Sequence, residues 1–255
     1  MVELKTPGEI DAMREAGRIV ARALAAVREE AAVGTRLSHL DEVARGVLRE
    51  AGADSPFLGY QPRFASSPFP AVICTSVNDA ALHGIPDRYR LADGDLLSVD
   101  CGATLHGWTG DAAISLTVGQ AREADTKLIE TTRAALAAGI AAAVVGARIG
   151  DVSAAIGAVG RAAGYGICTD FGGHGVGHTM HEDPSVPNDG PAGRGLPLRP
   201  GLVIAIEPWF LGGGVDKYRI DKDGWTIRSA DASRAAHVEH TVAITEQGPR
   251  ILTAV

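Results

Sequence analysis

Two stretches of this chain repeat one another, and that repeat constrains the fold more than any other feature. Residues 33–52 align without a gap onto residues 145–164, at an offset of 112, and seven of the twenty positions are identical. Alanine-rich helices align easily, so the helical matches alone carry little weight. The V-G-x-R turn that opens both stretches is better evidence. A repeat on this scale predicts two structurally similar halves.

Each half begins with a predicted pair of helices. The sequence TPGE at residues 6–9 is typical of a helix start, with Thr6 as the N-cap and Glu9 reaching back to it. Ser38 is the expected cap of the second helix. In the second half, apolar residues at helical spacing predict helices over 128–144 and about 151–164.

Runs of β-branched residues punctuated by Gly and Asp follow each helix pair and predict strands joined by hairpins. They are AVICTSV and DLLSVDCGATLHGWTGDAAISLTV in the first half, and GLVIAIEPWF, DGWTIRS and AAHVEHTVAIT in the second. Proline and glycine predict loops at 61–70 and 184–201. Because no clear linker separates the halves, we expect an α/β (α+β) fold. It would form one domain over residues 1–255, with helices packed on one face of a shared, largely antiparallel sheet.

Charge and composition narrow the function classes. The net charge of -7 argues against nucleic acid as a direct partner, because no basic patch is present to neutralise phosphates. Three cysteines predict a reducing compartment rather than a disulfide framework. The N-terminus is charged from its third residue, unlike a signal peptide, and no apolar run approaches membrane-spanning length. We therefore expect a cytoplasmic protein with no membrane partner.

The stretch FGGHGVGHTMHED, residues 171–183, combines four glycines with three histidines. A histidine between glycines is not part of the apolar face of a helix or strand. Glycine is used where a chain turns sharply or approaches another group closely. The segment is therefore a candidate site. It lacks the G-x-G-x-x-G spacing of a dinucleotide-binding loop.

Four acids lie in or beside the predicted strands: Asp100, Asp111, Glu207 and Glu239. Burying a carboxylate without a partner is expensive, and no Arg or Lys is adjacent to any of them. For one such acid, capping of a turn at the strand end is the simpler interpretation. For four acids, two in each half, shared metal ions are the stronger one. With His174 they offer four carboxylates and one imidazole, whose negative charge two divalent cations would balance.

Five motifs in order resemble those of type I methionine aminopeptidases. They are NDAALHGIPD, SVDCGATLHGWTGDAA, GGHGVGHTMHEDPSVPN, AIEPW and AHVEHTVAIT. The resemblance runs from the first helix to GPRIL near the C-terminus. It implies the pita-bread fold, a pseudo-twofold α/β arrangement, in agreement with the repeat. It also implies a dinuclear centre of Co, Mn, Fe or Zn ions.

The resemblance assigns roles to seven of the motif residues. Asp100 matches the acid that chelates one metal, Asp111 and Glu239 match the two bridging carboxylates, and His174 and Glu207 match ligands of the other metal. His83 matches a histidine beside the scissile bond, and His181 one that contacts the substrate carbonyl. Glu207 and His83 are the candidate proton carriers. His178 and His237 receive no role in the chemistry.

The expected methionine pocket is formed by apolar and aromatic side chains: Phe57, Tyr60, Cys74, Met180 and Trp225. Phe57 and Met180 stand where many family members have Cys and Phe. The loop at 61–70 is longer than its family counterpart. It could cover the pocket mouth or extend into solvent, and the sequence leaves both alternatives open.

The resulting hypothesis is a metal-dependent aminopeptidase that removes the initiator methionine when the second residue is small. Its partners would be N-terminal Met peptides and nascent chains, with the ribosome as a further candidate, and we expect a monomer. Two alternatives are a proline-specific aminopeptidase of the same fold and a metal-free pita-bread binding protein. Metal-free relatives typically lose ligands, whereas all five ligand positions are filled here.

Overall fold

The repeat found in the sequence is a structural repeat of helix pairs. The computed structural model describes residues 2–254. The first pair is α1 (Pro7–Glu30) and α2 (Leu37–Glu50), and the second is α3 (Glu123–Ala142) and α4 (Ile149–Ala162). Gly34 and Gly146, which open the repeated turns, have nearly equal φ angles of 90° and 89°. Their N–H groups donate to the carbonyl oxygens of Leu91 and Leu198.

The helix starts confirm one expected cap and correct the other. The Thr6 side chain accepts from the N–H of Glu9, and the Glu9 carboxylate accepts from the N–H of Thr6, so the capping box forms. The prediction that Ser38 caps α2 is wrong, because α2 begins at Leu37 after Arg36. The backbone N–H groups of Leu37 and Ser38 donate to carbonyl oxygens in the 87–89 segment. A distant stretch of backbone therefore replaces the side-chain cap.

The strands within residues 2–254 form one large sheet and two small ones. They are β1 (Ile73–Val77), β2 (Ala80–Leu82), β3 (Leu96–Leu105), β4 (Trp108–Thr117), β5 (Gly173–Gly175), β6 (Glu182–Val186), β7 (Val203–Ile206), β8 (Trp209–Leu211), β9 (Tyr218–Ile220), β10 (Ile227–Ser229), β11 (Ala235–His237), β12 (Glu239–Thr245) and β13 (Gly248–Ile251). The large sheet has the order β1-β3-β4-β12-β7-β5-β6, and β13 also pairs with β12. β2-β10-β9 and β11-β8 form the small sheets. Every strand pairing is antiparallel.

Two segments expected to be irregular contain short strands. The predicted loop at 184–201 contributes its first residues to β6, and the glycine-rich 171–183 segment contains β5. β5 pairs with β6 and β7, although the β5–β6 register shifts between Gly173 and Gly175. Their periodicity is too short to show in the sequence, since β5 spans three residues, two of them glycine.

Alternation along the strands separates the core from the site. Val99, Cys101 and Ala112 pack in one apolar cluster with residues of α1 and α2. Ile206 and Val238 pack in a second cluster with residues of α3 and α4. Successive strand residues point to opposite faces, so Asp100, Asp111, Glu207 and Glu239 point away from these cores. Among the described residues, no helix is long and apolar enough to cross a membrane.

Candidate metal centre and substrate cavity

Strand register brings three acids together. Ala113 of β4 pairs with Asp100 of β3 on one side and with Glu239 of β12 on the other. Asp111 lies two residues before Ala113 on β4, so its side chain shares the same face. The backbone of Asp111 is fixed by the Thr241 hydroxyl, which accepts from its N–H and donates to its carbonyl oxygen.

The neighbouring strands add a carboxylate and an imidazole. Glu207 directly follows β7, whose last residue Ile206 pairs with His240 beside Glu239. His174 lies in β5, next to the Gly175–Ile204 pair of β5 and β7. Its Nε2 is 3.4 Å from Oε1 of Glu207. The five proposed ligands therefore lie on adjacent strands of the large sheet.

The donor atoms converge in two overlapping groups. One nitrogen or oxygen from each of Asp111, His174 and Glu239 lies within 4.8 Å of the others, and the same holds for Glu207, His237 and Glu239. Glu239 belongs to both groups.

Three carboxylate oxygens in this cluster are shielded from water and lack any hydrogen-bond partner among the described residues: Oδ1 of Asp100, Oδ1 of Asp111 and Oε1 of Glu239. Buried acceptors left without donors are costly unless a cation binds them. Burial raises the pKa of Asp100 to about 7. Burial first, and then the neighbouring carboxylates, raise the pKa values of Asp111 and Glu239 well above their ordinary values. The residues thus fit divalent metal ions, which would neutralise this crowded charge.

His237 belongs to this cluster, although no role in the chemistry was predicted for it. It is buried, and its Nε2 lies 3.5 Å from Oε2 of Glu207 and 3.9 Å from Oε2 of Glu239. Burial raises the pKa of Glu207, but the His237 and His174 imidazoles outweigh it, so the net pKa is below the ordinary value. Strand alternation could have predicted His237 for the site, because residues two apart on a predicted strand share a face and Glu239 was already a proposed ligand.

His83 is held in a strained backbone conformation at the end of β2. Its φ angle is 57°, in the left-handed region that costs a non-glycine residue about 1 kcal/mol or more. The next residue, Gly84, fixes the backbone of His83 in place. The carbonyl oxygen of Gly84 accepts from the N–H of Thr75, and the N–H of Gly84 donates to the Ser76 hydroxyl. Burial lowers the pKa of His83 to about 4, so the imidazole is neutral at pH 7.

His181 lines the cavity directly before β6, which pairs with the strand of His174. Its ring centroid is 4.3 Å from that of His174 and 5.3 Å from that of Tyr60. Desolvation first, and then the His174 imidazole, lower its pKa. Lys5 fixes the segment that carries His181, because its buried ammonium lies 2.8 Å from Oε2 of Glu182.

A cavity of about 340 Å³ joins these groups to an apolar pocket, and all twelve residues proposed for the site line it. Phe57, Cys74, Met180 and Trp225 form a buried cluster with Phe69. Phe69 packs edge-to-face against Trp225 at 5.0 Å, although it lies in the predicted loop and was not proposed for the pocket. Tyr60 is 36% exposed and lies at the rim beside His181 rather than in the buried cluster.

A curled antiparallel sheet with a buried cluster of carboxylates and imidazoles beside an apolar cavity defines a metallohydrolase. Residues 11–246 match metallopeptidase family M24, and the chain belongs to that family. It is 52% identical to methionine aminopeptidase 1 of Mycobacterium tuberculosis, over 99% of this chain and 95% of that protein.

Solved structures share its pita-bread fold. The methionine aminopeptidase of Thermotoga maritima superposes with a TM-score of 0.95 and 38% identity, over the full length of both chains. The prolidase of Pyrococcus furiosus superposes with a TM-score of 0.77 and 25% identity, over 99% of this chain and 65% of that one.

Proposed function

We propose that this chain is a methionine aminopeptidase that releases the N-terminal methionine of peptides and new proteins. One observation carries the proposal: a single cavity joins the carboxylate cluster to a buried apolar cluster of side chains. The pocket suits an unbranched thioether, because sulfur makes favourable contacts with aromatic rings. Full-length similarity to methionine aminopeptidases supports the same assignment.

The proposed cofactor is a pair of divalent ions of Co, Mn, Fe or Zn. Asp100, Asp111, His174, Glu207 and Glu239 would hold them, with Asp111 and Glu239 shared between the two. When bound, such ions supply the Lewis acidity that activates water and polarises a carbonyl. The membership of Glu239 in both donor groups supports a shared ligand.

The chain's own residues bind the substrate and handle its protons. The free α-amine at the start of the peptide would lie beside the carboxylate cluster, where a bound ion would supply a Lewis-acid partner for its lone pair. His181 donates a hydrogen bond to the carbonyl oxygen of the first residue, where negative charge develops. Glu207, whose pKa is below the ordinary value, is ionised at neutral pH and can accept a proton. His83 is neutral, so it can take up a proton on one ring nitrogen while it gives the proton of the other to the leaving amine.

The same geometry gives the expected substrate range. The second residue of the peptide would lie between the carboxylates and His83, where a large side chain has little room. Met-Ala, Met-Gly and Met-Ser peptides should therefore be cleaved well, and Met-Leu or Met-Arg poorly. New proteins carry such N-termini where they are made, so the cytoplasm is the proposed location.

Parallel assays on Met-Ala-Ser, Leu-Ala-Ser and Gly-Pro-Ser separate the alternatives, with bound metal determined on the same sample. We expect methionine to be released fastest, with leucine slower by about 10–200-fold, as for discrimination by one methylene. N-acetylated Met-Ala-Ser should be inert, because its nitrogen has lost its charge and basicity. Preferred cleavage before proline would show a proline-specific enzyme. A protein that binds no metal and cleaves none of the peptides, even with metal added, would be a binding protein.

A further inference from the structure

The segment 61–68 is a closed loop fixed at its base. The N–H of Phe69 donates to the carbonyl oxygen of Tyr60 at 2.8 Å, and the N–H of Gly59 donates to that of Phe69 at 2.8 Å. Within the loop, the N–H of Ala65 donates to the carbonyl oxygen of Pro62, and the Gln61 amide donates to that of Ala65. The loop therefore has its own hydrogen bonds and does not depend on solvent for them.

The loop also packs onto the wall of the cavity. Nε1 of Trp225 donates to the carbonyl oxygen of Ser67 at 2.9 Å. Ala65 is 8% exposed and packs in the same apolar cluster as Trp225. Ser66 lies against Gly224, where a Cβ would come within 2.5 Å of its hydroxyl oxygen. Of the two alternatives for this loop, the structure favours a cover over the pocket mouth.

Phe64 projects from the loop across the mouth of the cavity. Its ring packs edge-to-face against Trp225 and Phe171, each at 5.7 Å between centroids. It stacks over His83 at 6.2 Å, with 17° between the planes. Phe64 nevertheless remains 41% exposed, so part of an aromatic ring faces whatever enters or leaves the cavity.

We propose that Phe64 is a specificity-determining residue that contacts the third residue of the substrate and favours an apolar or aromatic side chain there. The inference rests on the proposed function. Methionine fills the pocket of Phe57, Cys74 and Met180, and the second residue lies at His83. Beyond its second residue, the substrate peptide passes the outer side of His83. The exposed part of the Phe64 ring is the apolar surface next to His83 on that side.

The contact predicts a measurable preference. An aromatic pair in a favourable geometry changes an equilibrium by about three- to tenfold. Met-Ala-Phe should therefore be cleaved with a kcat/KM about three to ten times that of Met-Ala-Gly. The third residue is remote from the reacting bond and binds equally before and during the reaction, so the difference should lie in KM.

The test compares Phe64→Ala with the intact enzyme on Met-Ala-Phe, Met-Ala-Gly and Met-Ala. We expect Phe64→Ala to bring the Met-Ala-Phe to Met-Ala-Gly ratio close to one through a higher KM for Met-Ala-Phe. Met-Ala, which has no third residue, reports any separate change at His83 or in the methionine pocket. Phe64→Tyr should restore the preference, because it keeps the ring. Val145→Ala is the matched control, since Val145 is similarly exposed and does not line the cavity.

The outcomes separate this inference from the proposed function. An unchanged ratio in Phe64→Ala, with methionine still released, would overturn the role of Phe64 and leave the aminopeptidase activity intact. No release of methionine from any of the peptides by the intact enzyme would refute the proposed function itself. Because the substitution leaves Ser67 and Ala65 in place, the loop should keep its anchors, and an unchanged melting temperature checks this.

Discussion

Removing the metal should turn the carboxylate cluster into a pH-dependent weak point of the fold. Desolvation raises the pKa of Asp100 to about 7, from the 3.8 of an ordinary aspartate. A group whose pKa is higher in the folded than in the unfolded protein stabilises the fold only while it is protonated. The contribution of Asp100 is therefore complete below about pH 3.8 and is lost as the pH rises through about 7.

The size of this loss follows from the same two values. The difference between 3.8 and about 7 corresponds to about 4 kcal/mol of unfolding free energy for Asp100 alone. Domains are typically stable by only about 5–15 kcal/mol, so this is a large part of the total. Asp111 and Glu239 shift in the same direction and should extend the loss to higher pH. Bound metal reverses the effect, because it binds the deprotonated carboxylates.

Urea unfolding of chelated and Mn-loaded protein between about pH 5.5 and pH 8 measures the effect. We expect the chelated protein to lose stability over this range and the loaded protein to keep it, so that the two curves diverge. Asp100→Asn is the control, since it removes one titrating group and should make the decline of the chelated protein shallower. Two parallel curves would show that the carboxylates are not destabilised by their surroundings, and the reasoning would be wrong.

Five substitutions test the site and its supporting contacts separately. Asp111→Asn should lose metal and turnover together, whereas His181→Ala should keep metal and lower kcat by about a hundredfold. Metal analysis beside steady-state kinetics distinguishes them, and equal loss of metal would contradict the assigned roles. Lys5→Met breaks an ion pair whose ammonium is 2% exposed and should cost about 3 kcal/mol in urea unfolding. Glu3→Gln, at an exposed partner 3.6 Å away, should cost far less. Gly84→Ala places a Cβ 2.1 Å from a backbone oxygen of β1 and should lower kcat with metal retained; unchanged kcat would show that the adjacent histidine needs no such support.

The features that sequence predicted well are those with local causes or motif matches. The capping box of Thr6 and Glu9 depends on four consecutive residues, and it forms as expected. The repeated V-G-x-R turns adopt the same conformation at Gly34 and Gly146, because the same short segment makes the same bonds in both halves. Eight of the twelve proposed site residues lie in the five ordered motifs, and all twelve line one cavity, while their roles stay predictions.

The errors arose where distant segments decide the local structure. Ser38 was expected to cap α2, but the 87–89 backbone supplies the acceptors, and no pattern near Ser38 reveals that segment. Phe69 follows a proline in a predicted loop, yet it joins the pocket because Trp225 and Phe57 pack against it from other parts of the chain. The position of His237 in the cluster could have been predicted from strand alternation, because it lies two residues before Glu239. The single domain over 1–255, the monomeric state and the ribosome as partner stay predictions.

Stepwise addition of Mn²⁺ to fully chelated protein tests the central claim most directly. Methionine release from Met-Ala-Ser and bound metal would be measured on the same samples. We predict no turnover without metal, a rise with bound metal that saturates at about two ions per chain, and neither binding nor turnover in Glu239→Gln. Full turnover in protein from which all metal has been removed would contradict the claim that this cluster of carboxylates is a catalytic metal centre.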